Sequence, residues 1–103
     1  MKILPEGPAA PAGARPATAI LHGEPNVRVV AFHVAPGQEI PPHKNPSTVL
    51  VHVVRGRGRF RGEDGEVVLE AGRSAVYAPG ELHAIAADEE PLSFLAIIAP
   101  RPS

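Results

Sequence analysis

Residues 37–56 read GQEIPPHKNPSTVLVHVVRG, and this is the stretch that decides the fold. Pro36-Gly37 is a turn signal at its start. Pro41, Pro42 and Pro46 frame His43, which places His43 on a stiff, extended segment. Thr48–Val54 (TVLVHVV) is β-branched almost throughout and predicts a strand. Apart from Thr48 and His52 it is apolar on both faces, so both faces are expected to be covered. Gly56 and Gly58 allow the chain to bend after it.

Outward from this strand the same pattern repeats. Val27–Val34 (VRVVAFHV) predicts a strand running into Pro36-Gly37. Arg57–Arg61 and Glu66–Glu70 predict a hairpin around Gly62-Glu63-Asp64-Gly65. Arg73–Tyr77, His83–Ala87 and Pro91–Ala99 predict three more strands, and Thr18–Leu21 a short edge strand. No segment carries a useful 3.6-residue period. Short strands with turn signals every 8–12 residues predict an all-β sandwich or barrel. Residues 1–16 are rich in Pro, Ala and Gly; Pro5, Pro8, Pro11 and Pro16 block a helix, so an extended arm is expected there. Residues 17–103 are then a single barrel domain.

The bulk numbers agree. A chain of 103 residues with 44% apolar content predicts one globular domain of modest stability. A net charge of −1 provides no field for nucleic acid or an acidic membrane. There is no cysteine, which excludes disulfides, thiolate nucleophiles and zinc-thiolate sites. The first residues have too short an apolar stretch for a signal peptide, and no stretch is long enough to span a bilayer; a cytoplasmic protein is expected. Thirteen prolines, eight arginines against two lysines, and few Asn, Gln or Met give a thermophile-like composition.

With Gly72–Ala87 (GRSAVYAPGELHAIAA) added, the chain resembles the cupin superfamily, specifically its small single-domain cupin-2-type members. Cupins carry G-x5-H-x-H-x3–4-E-x6-G and G-x5-P-x-G-x2-H-x3-N on a jelly-roll barrel, also called a double-stranded β-helix. Here Gly37 is followed by five residues and His43, and Gly56 closes the first motif. Gly72, Gly80 and His83 match the second. The resemblance covers about residues 27–99 and implies that fold. It also implies a metal, Fe, Mn, Zn, Ni or Cu, held by three histidines and a glutamate. Asn45 stands where the second histidine is expected and Val49 where the glutamate is. Ala78 and Ala87 replace the proline and asparagine. Of the metal set only His43 and His83 remain, short of what a first-row ion takes.

If Val49, Val51 and Val53 face the interior, Leu50, His52 and Val54 face outward by period two. His33 is expected opposite Val30, Phe32 and Val34. Neither His33 nor His52 is therefore expected to supply a third ligand. The leading reading is a binding module for a small organic molecule, perhaps an anion, with His43 and His83 at the polar end of a pocket. Asn45, Val49, Val51, Phe32, Phe60, Tyr77 and Phe94 are the lining candidates. The alternatives are a metal-dependent enzyme of dioxygenase or isomerase type, and a structural or regulatory dimer with a filled barrel. The apolar outward face of 48–54 suggests a homodimer, which the resemblance also implies. Arg55, Arg57, Arg59 and Arg61 read as a surface ladder against Glu66 and Glu70, with Arg55 a candidate to meet an anion at the barrel mouth. No nucleophile elbow, phosphate loop or dinucleotide fingerprint is present.

Overall fold

The computed structural model describes residues 1–10 and 13–101; positions 11–12 within the expected arm, Pro11 among them, and 102–103 at the end of the expected barrel lie outside them. Among the described residues every regular element is a strand. In chain order they are β1 (Ala17–Glu24), β2 (Val27–Val34), β3 (Glu39–His43), β4 (Thr48–Gly62), β5 (Gly65–Glu70), β6 (Ser74–Tyr77), β7 (His83–Ala86) and β8 (Leu92–Ala99). All pairings are antiparallel. β1, β2, β8, the first half of β4 and β6 form one sheet. β3, β7, the second half of β4 and β5 form the other, so β4 belongs to both.

The motif glycines have a common physical role. In the turns 35–38, 70–73 and 78–81 the last N–H donates to the first carbonyl, at 2.9, 3.0 and 3.1 Å. The third residue is Gly37, Gly72 or Gly80, with φ of 81°, 90° and 78°. That left-handed value is what the third position of a type II turn requires, and Pro36 and Pro79 supply the favoured second position.

Two expectations change. The strands expected at 48–54 and 57–61 are one 15-residue strand. A bulge between Val53 and Arg55 lets it continue, with Gly56 at φ 76° beside it. The bulge also reverses the alternation: Val49, Val51 and Val53 are buried before it, Gly58 and Phe60 after it. Without that extra residue, Arg57 and Arg59 would point into the core. The segment around His43 is the strand β3, tolerated with Pro41-Pro42 because it lies at a sheet edge and its ladder is interrupted between Ile40 and His43.

The core lies between the sheets. Phe94 is at its centre, stacked on Phe32 at 4.7 Å and meeting Phe60 edge-on at 5.5 Å. Val34, Val53 and Leu92 are fully buried around it.

Candidate functional site

The ladder of β3 and β7 puts His43 directly opposite His83. Their rings meet edge to face with centroids 4.0 Å apart. His43 is exposed at the barrel mouth, while His83 is buried beneath it. Each ring is anchored by the carbonyl two residues before it: His43 Nδ1 lies 3.0 Å from the Pro41 carbonyl and His83 Nδ1 lies 3.1 Å from the Glu81 carbonyl. Burial holds the His83 imidazole below its ordinary pKa. The Glu81 carbonyl opposes this, and the neighbouring His43 adds to it.

Below the pair is a cavity of about 50 Å³. Of the expected lining residues, His43, His83, Asn45, Phe32, Val49, Val51 and Phe94 border it. Phe60 and Tyr77 do not. Phe60 belongs to the second half of β4, beyond the bulge, and packs into the core against Phe94. Tyr77 stacks on His83 at 4.4 Å and so stands behind that imidazole. Burial pushes its phenol up to about 12, helped by the charges of Glu81 and Asp64. Sequence reasoning missed Ile40, Ile85, Ala96 and Ile98, which complete the wall. Period two from His83 would have found Ile85, and from Phe94 the other β8 residues.

Asn45 has a structural task. Its Oδ1 accepts the Ser47 N–H at 2.9 Å, and its carbonyl accepts the Gly80 N–H at 2.8 Å, joining the two motif loops. Arg55 does not border the cavity; it pairs with Ser93 across the other sheet. His33 and His52 lie outside the cavity too, bonded to Ser93 and Ser74 at 3.0 and 2.6 Å. In the arginine ladder, Arg59 forms ion pairs, with Asp88 at 2.8 Å and Glu66 at 3.4 Å. A larger groove of about 270 Å³ between Arg57, Val68 and Asp88–Glu90 is mixed in charge.

The cupin domain family model matches residues 30–98. An uncharacterised double-stranded β-helix protein from Klebsiella pneumoniae is 29% identical, with a TM-score of 0.80 over 88% of this chain and 82% of that one. A RmlC-like cupin from Methanocaldococcus jannaschii is 17% identical, with a TM-score of 0.82 over 99% and 93%. The DMSP lyase DddQ of Ruegeria pomeroyi is 21% identical, with a TM-score of 0.79 over 82% of this chain but only 47% of the lyase. No curated protein matches the chain. The chain belongs to the cupin domain family.

The family's metal does not fit this donor set. Val49 offers no donor, and Asn45 offers only a weak side-chain oxygen that already accepts the Ser47 N–H. Among the described residues no three His, Cys, Asp or Glu side chains gather to hold an ion. Two imidazoles alone leave a first-row ion under-coordinated. Nor is any helix among the described residues long and apolar enough to cross a membrane.

Proposed function

We propose that the barrel binds a small organic molecule at its mouth, with a polar end on His43 and His83 and a small apolar group in the cavity. The observation that carries this is the pair of imidazoles converging over walls that are otherwise almost entirely apolar. Size narrows the ligand. Pockets for drug-sized molecules run to about 300–1,000 Å³, against about 50 Å³ here. At the roughly 10–15 Å³ of such volume that one water-sized group needs, about three to five heavy atoms enter the barrel, and the rest of the ligand stays at the rim. The lyase among the similar structures supports no reaction at 21% identity.

Thermal unfolding with a ligand library tests the reading. A ligand at 100 times its Kd adds about 2.7 kcal/mol, a rise of about 10 °C or more for a domain of this size. The gain should survive a chelator and disappear in His43→Ala. Near-stoichiometric metal in the purified protein, lost in His43→Ala, would replace this reading with the metal-enzyme one.

A second reading concerns the outer face of the β1-β2-β8-β4-β6 sheet, which a second copy of the chain would cover. One outward row runs Val29, Ile97, Leu50 and Val76 without a charge. The described part of the N-terminal arm crosses the β1–β2 side: Lys2 reaches His22 at 3.0 Å, and Gly7 sits against Ala31. Val76 and Val54 remain 61% and 50% exposed, and Ile3 on the arm is 79% exposed. The three strands beyond the arm, β8, β4 and β6, span roughly 300 Å² in projection, so an interface of roughly 600–1,000 Å² per partner takes in the arm as well. The uncharged row sets no like charges against each other. Sedimentation should give a dimer that Val76→Arg, at an exposed site, turns into a folded monomer. A native chain that is monomeric at high concentration would refute this interface.

A further inference from the structure

The ring of His83 is supported from two sides, and both supports lead to the β4–β5 hairpin. Its Nδ1 meets the Glu81 carbonyl at 3.1 Å, and its face stacks on Tyr77 at 4.4 Å. Glu81 is itself held through its side chain. Oε1 accepts the Ala78 N–H at 2.9 Å, and Oε2 accepts the Glu63 N–H at 3.2 Å in the turn between β4 and β5. Glu63 returns the contact: its Oε1 accepts the Leu82 N–H at 3.2 Å, one residue before His83. Two carboxylates thus make three charge-assisted bonds, one within the 78–81 turn and two between residues 78–82 and the hairpin.

Gly62, the last residue of β4, shows how close this approach is. A Cβ there would lie 2.5 Å from Glu81 Oε2 and 3.3 Å from the Tyr77 ring. Gly62 does not share the left-handed backbone angle of Gly65, φ 132°, so what a side chain would take away here is room. The same 78–82 segment reaches the loop after His43, where the Gly80 N–H donates to the Asn45 carbonyl at 2.8 Å. Glu63 and Glu81 do not border the cavity.

Resting on the reading of His83 as part of a binding site, we infer that Glu81 and Glu63 are positioning residues for that site. Through them the hairpin sets the His83 ring at the mouth from behind, out of reach of a molecule in the cavity. The two carboxylates differ in what they need. Both oxygens of Glu81 accept, whereas Glu63 uses one. A glutamine keeps one oxygen and turns an NH2 group toward the second partner. Glutamine therefore replaces Glu63 but not Glu81.

The test records the imidazole C–H signals of the intact, ligand-free chain by NMR at about pH 8, where unperturbed imidazoles are neutral. Contacts with the only tyrosine assign His83. His33 and His52, bonded to Ser93 and Ser74 on the other sheet, serve as controls. Glu63→Ala and Glu81→Gln should each shift the His83 signals and leave the controls in place. Glu63→Gln should return His83 to its native position. A purely structural role predicts instead a lower unfolding midpoint with His83 unmoved, and that result overturns the inference. So does a common shift of all the histidines, or a Glu63→Gln chain that moves His83 as far as Glu63→Ala does. Because the spectra are taken without a ligand, unmoved His83 signals leave the binding reading standing, while a failed ligand screen bears on that reading alone.

Discussion

Tyr77 is the only tyrosine in the chain, so its titration can be followed without interference. Burial, with Glu81 and Asp64 nearby, raises it from 10.0 to about 12. A group raised on folding holds its proton in the native state after the unfolded chain has lost it. Its contribution to stability is therefore complete below pH 10 and is lost as the pH rises toward about 12. Phenolate absorbance should appear near 12 in the native protein and near 10 in denaturant. Coincident midpoints would show that the ring is not shielded behind His83. The missing metal ligands belong to the same scale. Asn45→His with Val49→Glu restores the donors that the family resemblance implies beside His43 and His83. The double variant should take up close to one transition-metal ion per chain where the native protein takes up far less. No uptake by the variant would mean that more than donor chemistry separates this site from a metal centre.

At the scale of elements, two glycines with nearly the same backbone angle should behave differently. Gly37 has φ 81° with open space around it, so Gly37→Ala carries only left-handed strain, about 1–2 kcal/mol. Gly56 has φ 76° at the bulge in β4, and a Cβ there would overlap the Pro91 carbonyl before β8. That obstacle is backbone and cannot swing aside. Gly56→Ala should cost about 3 kcal/mol or more, lowering Tm by roughly 12 °C or more. Equal losses for the two would show that the bulge is not packed closely against the β7–β8 connection. The arginine ladder predicts the reverse outcome. Arg59 lies on the surface with its carboxylate partners, so its replacement should barely move the unfolding midpoint.

On the scale of the whole molecule, stability depends on one aromatic cluster. Phe94 touches Phe32 from the first sheet and Phe60 from the second half of β4, so it joins the two sheets of the barrel. Phe94→Ala should cost about 3–5 kcal/mol, a large fraction of the roughly 5–15 kcal/mol that holds a small domain together. Denaturant unfolding would measure it, and a loss below 1 kcal/mol would mean that the two sheets hold together without this ring. The same cluster keeps the cavity small. Phe94 and Phe32 both border it, so smaller side chains there should admit larger ligands as well as weaken the fold.

Much of this was legible from local sequence. Glycines after turn prolines, apolar residues at period two and the spacing of His43 and His83 are properties of a few neighbouring residues. Turn geometry and strand alternation are set at that range, so the all-β barrel and its histidine pair could be read directly. The loss of the carboxylate ligand was visible in the same way, as a valine at position 49. Other features required distant strands to meet. β4 looked like two strands because the bulge that joins them is defined against β8. That bulge reversed the alternation and turned Phe60 into the core, on the half of β4 that does not border the cavity. Tyr77 reads as a pocket-wall residue from its place beside the second motif, and only the fold stacks it on His83. The carbonyl that each imidazole meets was equally hidden, since it depends on how the folded chain turns each ring. Sequence by itself determined the kind of barrel and the residues at its mouth, because turns and alternation are local. Tertiary structure decided the volume of the cavity and the chemistry its mouth presents, because both depend on contacts between strands far apart along the chain.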